Sequence, residues 1–445
     1  MREVHGIRWL VFKIPKYYLA ARVDARRARF WAIQVLPGDT IGRDARLTIR
    51  SPIDLLVLSG EYSKIFQSNK GLGGMKTLLE TIAIETVQAE GYEQVLKFSD
   101  SSSGLKGFIA IHNTTLGPAL GGTRIYPYAS EDDALRDVLR LSKGMTYKAA
   151  IAHLGLGGGK SVIMANPAKD KSKELFHAFA SIVDALEGRY ICAEDVGCSI
   201  EDVELIHQRT PYVVGLKNVH SSGDPSIYTA FGTHLGLKAT WEFLTGSSSL
   251  AGVKVLVQGL GAVGEKLVDA LFWEQAHVIV ADLDRAKVER LRQKYRVEVV
   301  DPASCLTTAC DIVAPCAMGG ILNERVIPFM KCRAIAGCAN NQLLNAQDDQ
   351  LLKDSGILYA PDFVINAGGL INVSFEIQPS GYNPIDARDA VTQIPARLKM
   401  IYQLAKEKQI GTHHAAVCLG DEILEKKSGR RVTQPVFFKS ESCIL

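Results

Sequence analysis

The sequence predicts an α/β protein of two domains, the second built on a doubly wound parallel sheet. Three observations carry this. Short apolar runs alternate with helix-period segments from about residue 75 onward, the pattern that builds parallel sheets covered by helices. The chain has 39 Gly against 16 Pro in 445 residues, which suits many strand-to-helix turns. A glycine turn, Gly259-Leu260-Gly261-Ala262-Val263-Gly264, joins an apolar strand to a helix.

In chain order, Val95–Phe98 and Phe108–Ile111 read as strands. Ser130-Glu131-Asp132-Asp133 has capping-box spacing, and Ala134, Leu135, Val138, Leu139 and Met145 follow at helical spacing, so a helix is expected from about 131 to 150. Lys160–Met164 is a strand, Ser172–Glu187 a helix, and Arg189–Cys192 a strand leading into Glu194-Asp195. Gly223–Ser226 punctuates the chain before a helix through Trp241 and a loop at Gly246–Ser249. A second alternating unit follows: strand Val253–Gln258, the glycine turn, helix Glu265–Trp273, strand His277–Asp282 and a polar-faced helix Asp284–Tyr295. Further strands are expected at Asp311–Ala314, Ala334–Ile335 and Ile357–Tyr359. The expected boundaries are an extension at 1–74, a first domain at 75–214, a second at 215–400, and a C-terminal helix and tail at 401–445 that return to the first domain.

Composition excludes several classes. With 47% apolar and 22% charged residues, the chain is neither disordered nor a mini-protein. No apolar run reaches the roughly 18 residues needed to span a bilayer, and the N-terminus lacks the apolar core of a secretory signal, so a cytoplasmic protein is expected. Nine cysteines, at 192, 198, 305, 310, 316, 332, 338, 418 and 443, include no C-x-x-C pair and no zinc-site spacing, and no metal is expected. Cys443 lies one residue too near the end for a prenylation box. Residues 1–74 carry 13 Lys+Arg against 6 Asp+Glu, and the rest of the chain 38 against 42. Acidic residues interrupt that basic head, so neither a nucleic-acid nor a targeting role is expected. It reads as an upstream extension with Met75 as the working start.

The glycine turn agrees with its context at every step. Gly259 permits the tight turn, Gly261 lets backbone approach a pyrophosphate, and Gly264 lets the helix pack on the sheet. The helix N-terminus offers free N–H groups to phosphates. Asp282, 23 positions after Gly259, is placed to bond the adenosine ribose and to repel a 2′-phosphate, which favours NAD over NADP. Arg285 nearby leaves room for NADP.

Three segments of the first domain are unusual for a plain core. Thr115–Arg124 reads as a glycine-rich loop after a strand, Lys148 stands late on an amphipathic helix, and Lys160 follows Gly157-Gly158-Gly159. A lone lysine is usually a solvated cation, but glycines flank both lysines, and Asp195 in Ala193–Gly197 supplies a carboxylate.

Over about residues 75–430 the chain resembles the Glu/Leu/Phe/Val amino-acid dehydrogenases, and the leucine-specific branch most closely. The resemblance rests on Thr114–Arg124 (TTLGPALGGTR), Lys143–Ala149 (KGMTYKA), Gly157–Ser161 (GGGKS), Arg189–Gly197 (RYICAEDVG), Ala336–Leu343 (AGCANNQL) and Tyr359–Val373 (YAPDFVINAGGLINV). It implies Lys160 as the catalytic lysine, Asp195 as the group exchanging a proton with the substrate nitrogen, and Lys148 as the holder of the α-carboxylate. Gly121, Gly122 and Met145 would line the cleft. Asn340 and Asn341 would lie between substrate and nicotinamide, and Thr229 would touch the carboxamide. Leu120, Ala193, Leu370 and Val373 match the side-chain pocket and suit a branched aliphatic group. Burial and a neighbouring cation would lower the Lys160 pKa, so that Lys160 serves as general base while Lys148 stays charged.

The implied reaction is reversible NAD-dependent conversion of a branched-chain L-amino acid to its 2-oxo acid and ammonia, by a homo-oligomer for which an octamer is one expectation. An aromatic amino-acid dehydrogenase and a silent NAD(H)-binding regulator are the alternatives. A methyltransferase, which also uses a glycine turn, would leave the paired lysines unexplained. The sequence departs from the leucine-type pattern at Asn113, at Ala262 and in the residues before Thr229.

Overall fold

In the computed structural model, residues 82–217 and 221–437 are described in full, and four strands are described by their backbone between residues 2 and 37. These four, β1 (Arg2–Val4), β2 (Ile7–Ile14), β3 (Tyr17–Asp24) and β4 (Arg29–Pro37), form an antiparallel sheet in chain order. Met75 and Cys443, singled out in the sequence, lie outside the described residues.

The first α/β unit has a six-stranded mixed sheet made of β5 (Ile82–Thr86), β6 (Gln94–Asp100), β7 (Leu105–Asn113), β8 (Ala119–Tyr126), β9 (Gly157–Met164) and β10 (Tyr190–Ala193). Its order is β10-β8-β9-β7-β6-β5; β8, β9 and β10 run parallel, and β7, β6 and β5 add antiparallel. Crossover α1 (Glu131–Ile151) links β8 to β9, and α2 (Lys173–Ala185) links β9 to β10. A short α3 (Ile200–His207) follows. The Ser130 hydroxyl accepts the Asp133 N–H and Ser172 caps α2 in the same way, which satisfies amides that helix starts leave free.

Two features correct the sequence reading. The segment containing Gly121 and Gly122 is not a loop: it is β8, and the glycine run 157–159 is the first half of β9. The reason is close approach. A Cβ on Gly158 would lie 2.1 Å from Thr146 N of α1, and one on Gly122 would lie 2.4 Å from Glu194 O. Glycine is what lets α1 settle on β9 and the Glu194 backbone settle on β8.

After α4 (Pro225–Thr245), the second unit runs β11 (Lys254–Gln258), α5 (Ala262–Trp273), β12 (His277–Ala281), α6 (Arg285–Tyr295), β13 (Glu298–Val299), β14 (Ile312–Pro315), β15 (Ala334–Ile335), α7 (Gln347–Asp354) and β16 (Leu358–Tyr359). The sheet is wholly parallel, ordered β13-β12-β11-β14-β15-β16, a doubly wound sheet that reverses between β11 and β14. Val255, Leu256, Val257, Ile312, Val313 and Ala314 are fully buried, as strands covered on both faces require.

The chain closes with α8 (Asp362–Ile365), α9 (Gly368–Ser374), α10 (Pro384–Val391), α11 (Ile394–Lys408) and α12 (Thr412–Glu425). The α12 helix meets α1 where Gly420 abuts the Tyr147 ring, and the Tyr147 hydroxyl donates to Asp421 at 2.8 Å. Among the described residues, no helix is long and apolar enough to cross a membrane.

Candidate active site

The first sheet brings together two of the residues singled out in the sequence. Lys160, on β9, is 4% exposed, and its Nζ lies 3.0 Å from Asp195 Oδ1, just beyond the end of β10. Arg124, on β8, was not singled out in the sequence. Its Nε donates to Asp195 Oδ2 at 3.0 Å and its Nη1 to Asp137 Oδ2 at 2.9 Å, and the Tyr128 hydroxyl donates to that same Asp137 oxygen at 2.6 Å. The result is a line of alternating charge, Asp137–Arg124–Asp195–Lys160. Its sequence signal was the last residue of the TTLGPALGGTR run, whose glycines drew attention first.

Burial alone would push the Asp195 carboxyl up, but Lys160 and Arg124 overcome it and hold the group at about 2. Burial lowers the Lys160 pKa, Asp195 opposes that, and Arg124 adds to it. Lys148, in the last turn of α1, has its pKa brought down to about 8 by burial, against the pull of Asp362. Both lysines are thus lowered, and Lys148, brought to about 8, still carries its proton at neutral pH.

Lys148 faces the second unit, its Nζ 3.5 Å from Asn340 Oδ1. Asn340 and Asn341 follow β15, at the carboxyl edge of the parallel sheet. Asn366 donates to Asn340 Oδ1 at 2.7 Å and to Cys338 O at 2.9 Å, fixing the amide. Asn341 has φ +52°, in the left-handed region that Asn tolerates, and its N–H is held by Asp362 Oδ2 at 2.5 Å. The cleft is bridged again by Arg140 Nη2 donating to Leu343 O at 2.8 Å.

Leu120, Ala193, Leu370 and Val373 fall in one buried apolar cluster, with Met145 packed against it. They come from β8, the end of β10, and α9, and Met145 comes from α1. Gly368 and Gly369 let α9 lie against the start of α4: a Cβ on Gly369 would sit 2.7 Å from Thr229 Oγ1. The Thr229 hydroxyl donates to Pro225 O at 2.9 Å, within α4 and beside Gly369 of α9.

The glycine turn has the shape a dinucleotide needs. Gly259 has φ +98°, and a Cβ there would lie 2.6 Å from the Ala317 side chain. Helix α5 starts at Ala262, three residues earlier than the sequence pattern indicates. Its N-cap, Gly261, offers no side-chain cap, whereas Ser130, Ser172, Ser199, Asp224 and Asp284 cap other helices. The first amides, at Ala262, Val263 and Gly264, are left for an anion, and around Gly261 there is open space. Asp282 accepts the Leu260 N–H at 2.5 Å and the Asp284 N–H at 2.8 Å, so its carboxylate is fixed at the mouth of the turn. These residues fit a nicotinamide dinucleotide. Among the described residues, no cluster of His, Cys, Asp and Glu is arranged to hold a metal ion.

A doubly wound sheet facing a buried lysine–carboxylate pair across a cleft defines a two-domain, nucleotide-dependent dehydrogenase. The family description "Glu/Leu/Phe/Val dehydrogenase, dimerisation domain" matches residues 92–212, and "Glutamate/Leucine/Phenylalanine/Valine dehydrogenase" matches 273–420. The chain belongs to this family of NAD(P)-dependent amino-acid dehydrogenases. It is 47% identical over 335 residues to a leucine dehydrogenase of Geobacillus stearothermophilus, covering 75% of this chain and 91% of the relative. It is 46% identical over 342 residues to an L-tryptophan dehydrogenase of Nostoc punctiforme, covering 77% and 96%. The crystal structure of L-tryptophan dehydrogenase from Nostoc punctiforme superimposes with a TM-score of 0.66 at 45% identity, over 76% of this chain and 97% of that one.

Proposed function

We propose that the protein catalyses reversible, NAD-dependent oxidative deamination of a branched-chain L-amino acid, leucine before valine and isoleucine, to the 2-oxo acid and ammonia. The observation that carries this is the buried Lys160–Asp195 pair, 3.0 Å apart, on the same cleft as Lys148 and the apolar cluster of Leu120, Ala193, Leu370 and Val373. The cofactor, when bound, accepts the α-hydrogen as hydride. Lys148 as an ammonium pairs with the substrate carboxylate, and Asn340 fixes that lysine's position. Asp195, ionised at neutral pH, takes a proton from the substrate ammonium, so that the nitrogen lone pair can assist hydride departure. Lys160, with its pKa lowered, takes a proton from the water that adds to the resulting iminium carbon; Asp195 then returns a proton to the nitrogen, the C–N bond breaks to release ammonia, and the hydroxyl proton passes to solvent as the 2-oxo group forms. Gly121, Gly122 and Met145 shape the cleft walls, and Thr229 contacts the carboxamide end of the cofactor.

NAD is the favoured cofactor because the Asp282 carboxylate, held by the Leu260 and Asp284 N–H groups, would bond the adenosine ribose and repel the 2′-phosphate of NADP. The pocket residues Leu120, Ala193, Leu370 and Val373 are all aliphatic, which supports the branched-chain reading; the similarity to a tryptophan dehydrogenase supports the aromatic one. The domain limits expected from the sequence, self-association through the first unit and a reducing, cytoplasmic setting belong to the same proposal. The dimerisation description at 92–212 supports self-association, and the eight cysteines among the described residues, all free, support the setting. NADH absorbance at alkaline pH with NAD⁺ and, separately, L-Leu, L-Val, L-Ile, L-Phe, L-Trp and L-Glu tests the reading. Turnover led by L-Leu is expected. An aromatic lead transfers the mechanism to the aromatic alternative, and no turnover with NADH still bound establishes the regulator instead.

A further inference from the structure

Resting on the reading of the cleft as an amino-acid site, we infer that the C-terminal tail closes the substrate side-chain pocket and that Phe437 sets its size. Both family matches end before this segment, at 212 and 420. The tail is nonetheless fastened to the site at separate points. The Arg431 N–H donates to Leu116 O at 2.8 Å and Arg431 Nε to Gly155 O at 3.3 Å, tying the strap to the loops that lead into β8 and β9. Further along, the Val436 N–H donates to Ile377 O at 3.2 Å, just past α9, which carries Leu370 and Val373.

Immediately after the second anchor the chain turns Phe437 inward. Its ring meets Tyr212 edge to face, with centroids 5.1 Å apart and planes at 86°. It packs against the same apolar cluster that holds Leu120, Ala193, Leu370 and Val373. Among the described residues the sheet ends at β10 on this side, where the Tyr212–Val214 backbone pairs with Cys192. The rest of the cluster comes from β8, α1, Leu156, β10, Val214, α9 and Ile377, and the tail adds the Phe437 ring to it. A partly buried phenylalanine closes that end with apolar surface and brings no charge. The substrate group it admits is therefore hydrophobic, and limited in length by the ring rather than by the four aliphatic positions alone.

The test uses the full chain with Phe437→Ala and, as a gentler change, Phe437→Leu. The kcat/KM values for L-Val, L-Leu and L-Phe are measured for each, together with NADH affinity. Phe437→Ala is expected to raise the L-Phe to L-Val ratio on the order of tenfold, and Phe437→Leu to raise it less, with NADH affinity unchanged. A ratio that does not move, or a common fall for every substrate, overturns the assignment and leaves the tail a purely structural strap. Failure of the underlying functional reading shows separately, as a wild-type protein that turns over none of the amino acids. In that event the ratio is read by calorimetry with phenylpyruvate and 4-methyl-2-oxopentanoate on the NADH-loaded protein, and the same outcomes decide.

Discussion

The two sides of the cleft are built on opposite principles. On the substrate side, function rests on side-chain charges largely taken out of water: Lys160 and Asp195 compensate each other, and Arg124 adds a second cation that supports Asp195. On the nucleotide side, it rests on backbone: an uncapped helix start, a glycine with φ +98° and one carboxylate holding two amides. Changes on the first side should therefore be severe and strongly coupled, and changes on the second graded.

The largest effect is expected from Lys160→Ala, which removes the base and leaves Asp195 with Arg124 alone. Here kcat should fall by about 10²–10⁴-fold while NADH affinity, read by fluorescence titration, stays the same. A comparable loss of NADH affinity would mean that the two sides are not separable. Next comes Gly158→Val, whose side chain would meet the Thr146 backbone of α1. Chemical denaturation should show a loss of about 3 kcal/mol, and a stability equal to the parent's would refute the close-packing account of the glycine run.

Arg124→Gln should lower kcat about tenfold and, by removing one of the two cations that hold Asp195 at about 2, move the acid limb of the pH–rate profile upward by about one unit. An unmoved acid limb would assign that limb to another group. A milder effect follows from Lys148. Its pKa is lowered to about 8, so it is charged below that pH and neutral above it, and KM for the amino acid should rise as pH climbs through 8 in initial-rate measurements. A flat KM from pH 7 to 9 would take the carboxylate away from Lys148. The smallest effect belongs to the backbone side: Asp282→Ala should reduce the preference for NAD over NADP by about tenfold, since amides and helix dipole remain. An unchanged preference in kcat/KM would remove Asp282 from cofactor choice.

Much of this arrangement was legible in residue order, because it depends on local periodicity. The cap at Ser130, the strand–turn–helix around Gly259 and the acidic residue at 282 are short-range patterns, and they fall where the pattern indicates. The start of α5 did not, because a glycine N-cap carries no side-chain signal. The glycines at 121–122 were read as part of a loop and the run at 157–159 as lying ahead of a strand, whereas the structure uses both as places where a neighbour comes too close for a Cβ. Nothing local distinguishes those two uses.

What the sequence determined by itself is therefore the alternation of strands and helices, the doubly wound second unit and the residue types available for proton and hydride chemistry. Only the tertiary structure decided which charges face each other. Arg124, Asp137 and Asp195 come from β8, α1 and the end of β10, and Phe437 reaches the pocket from 64 positions beyond Val373. Burial decided the rest: a lysine's pKa follows the water it has lost and the carboxylate it has gained, and both are properties of packed neighbours that no single segment of chain contains.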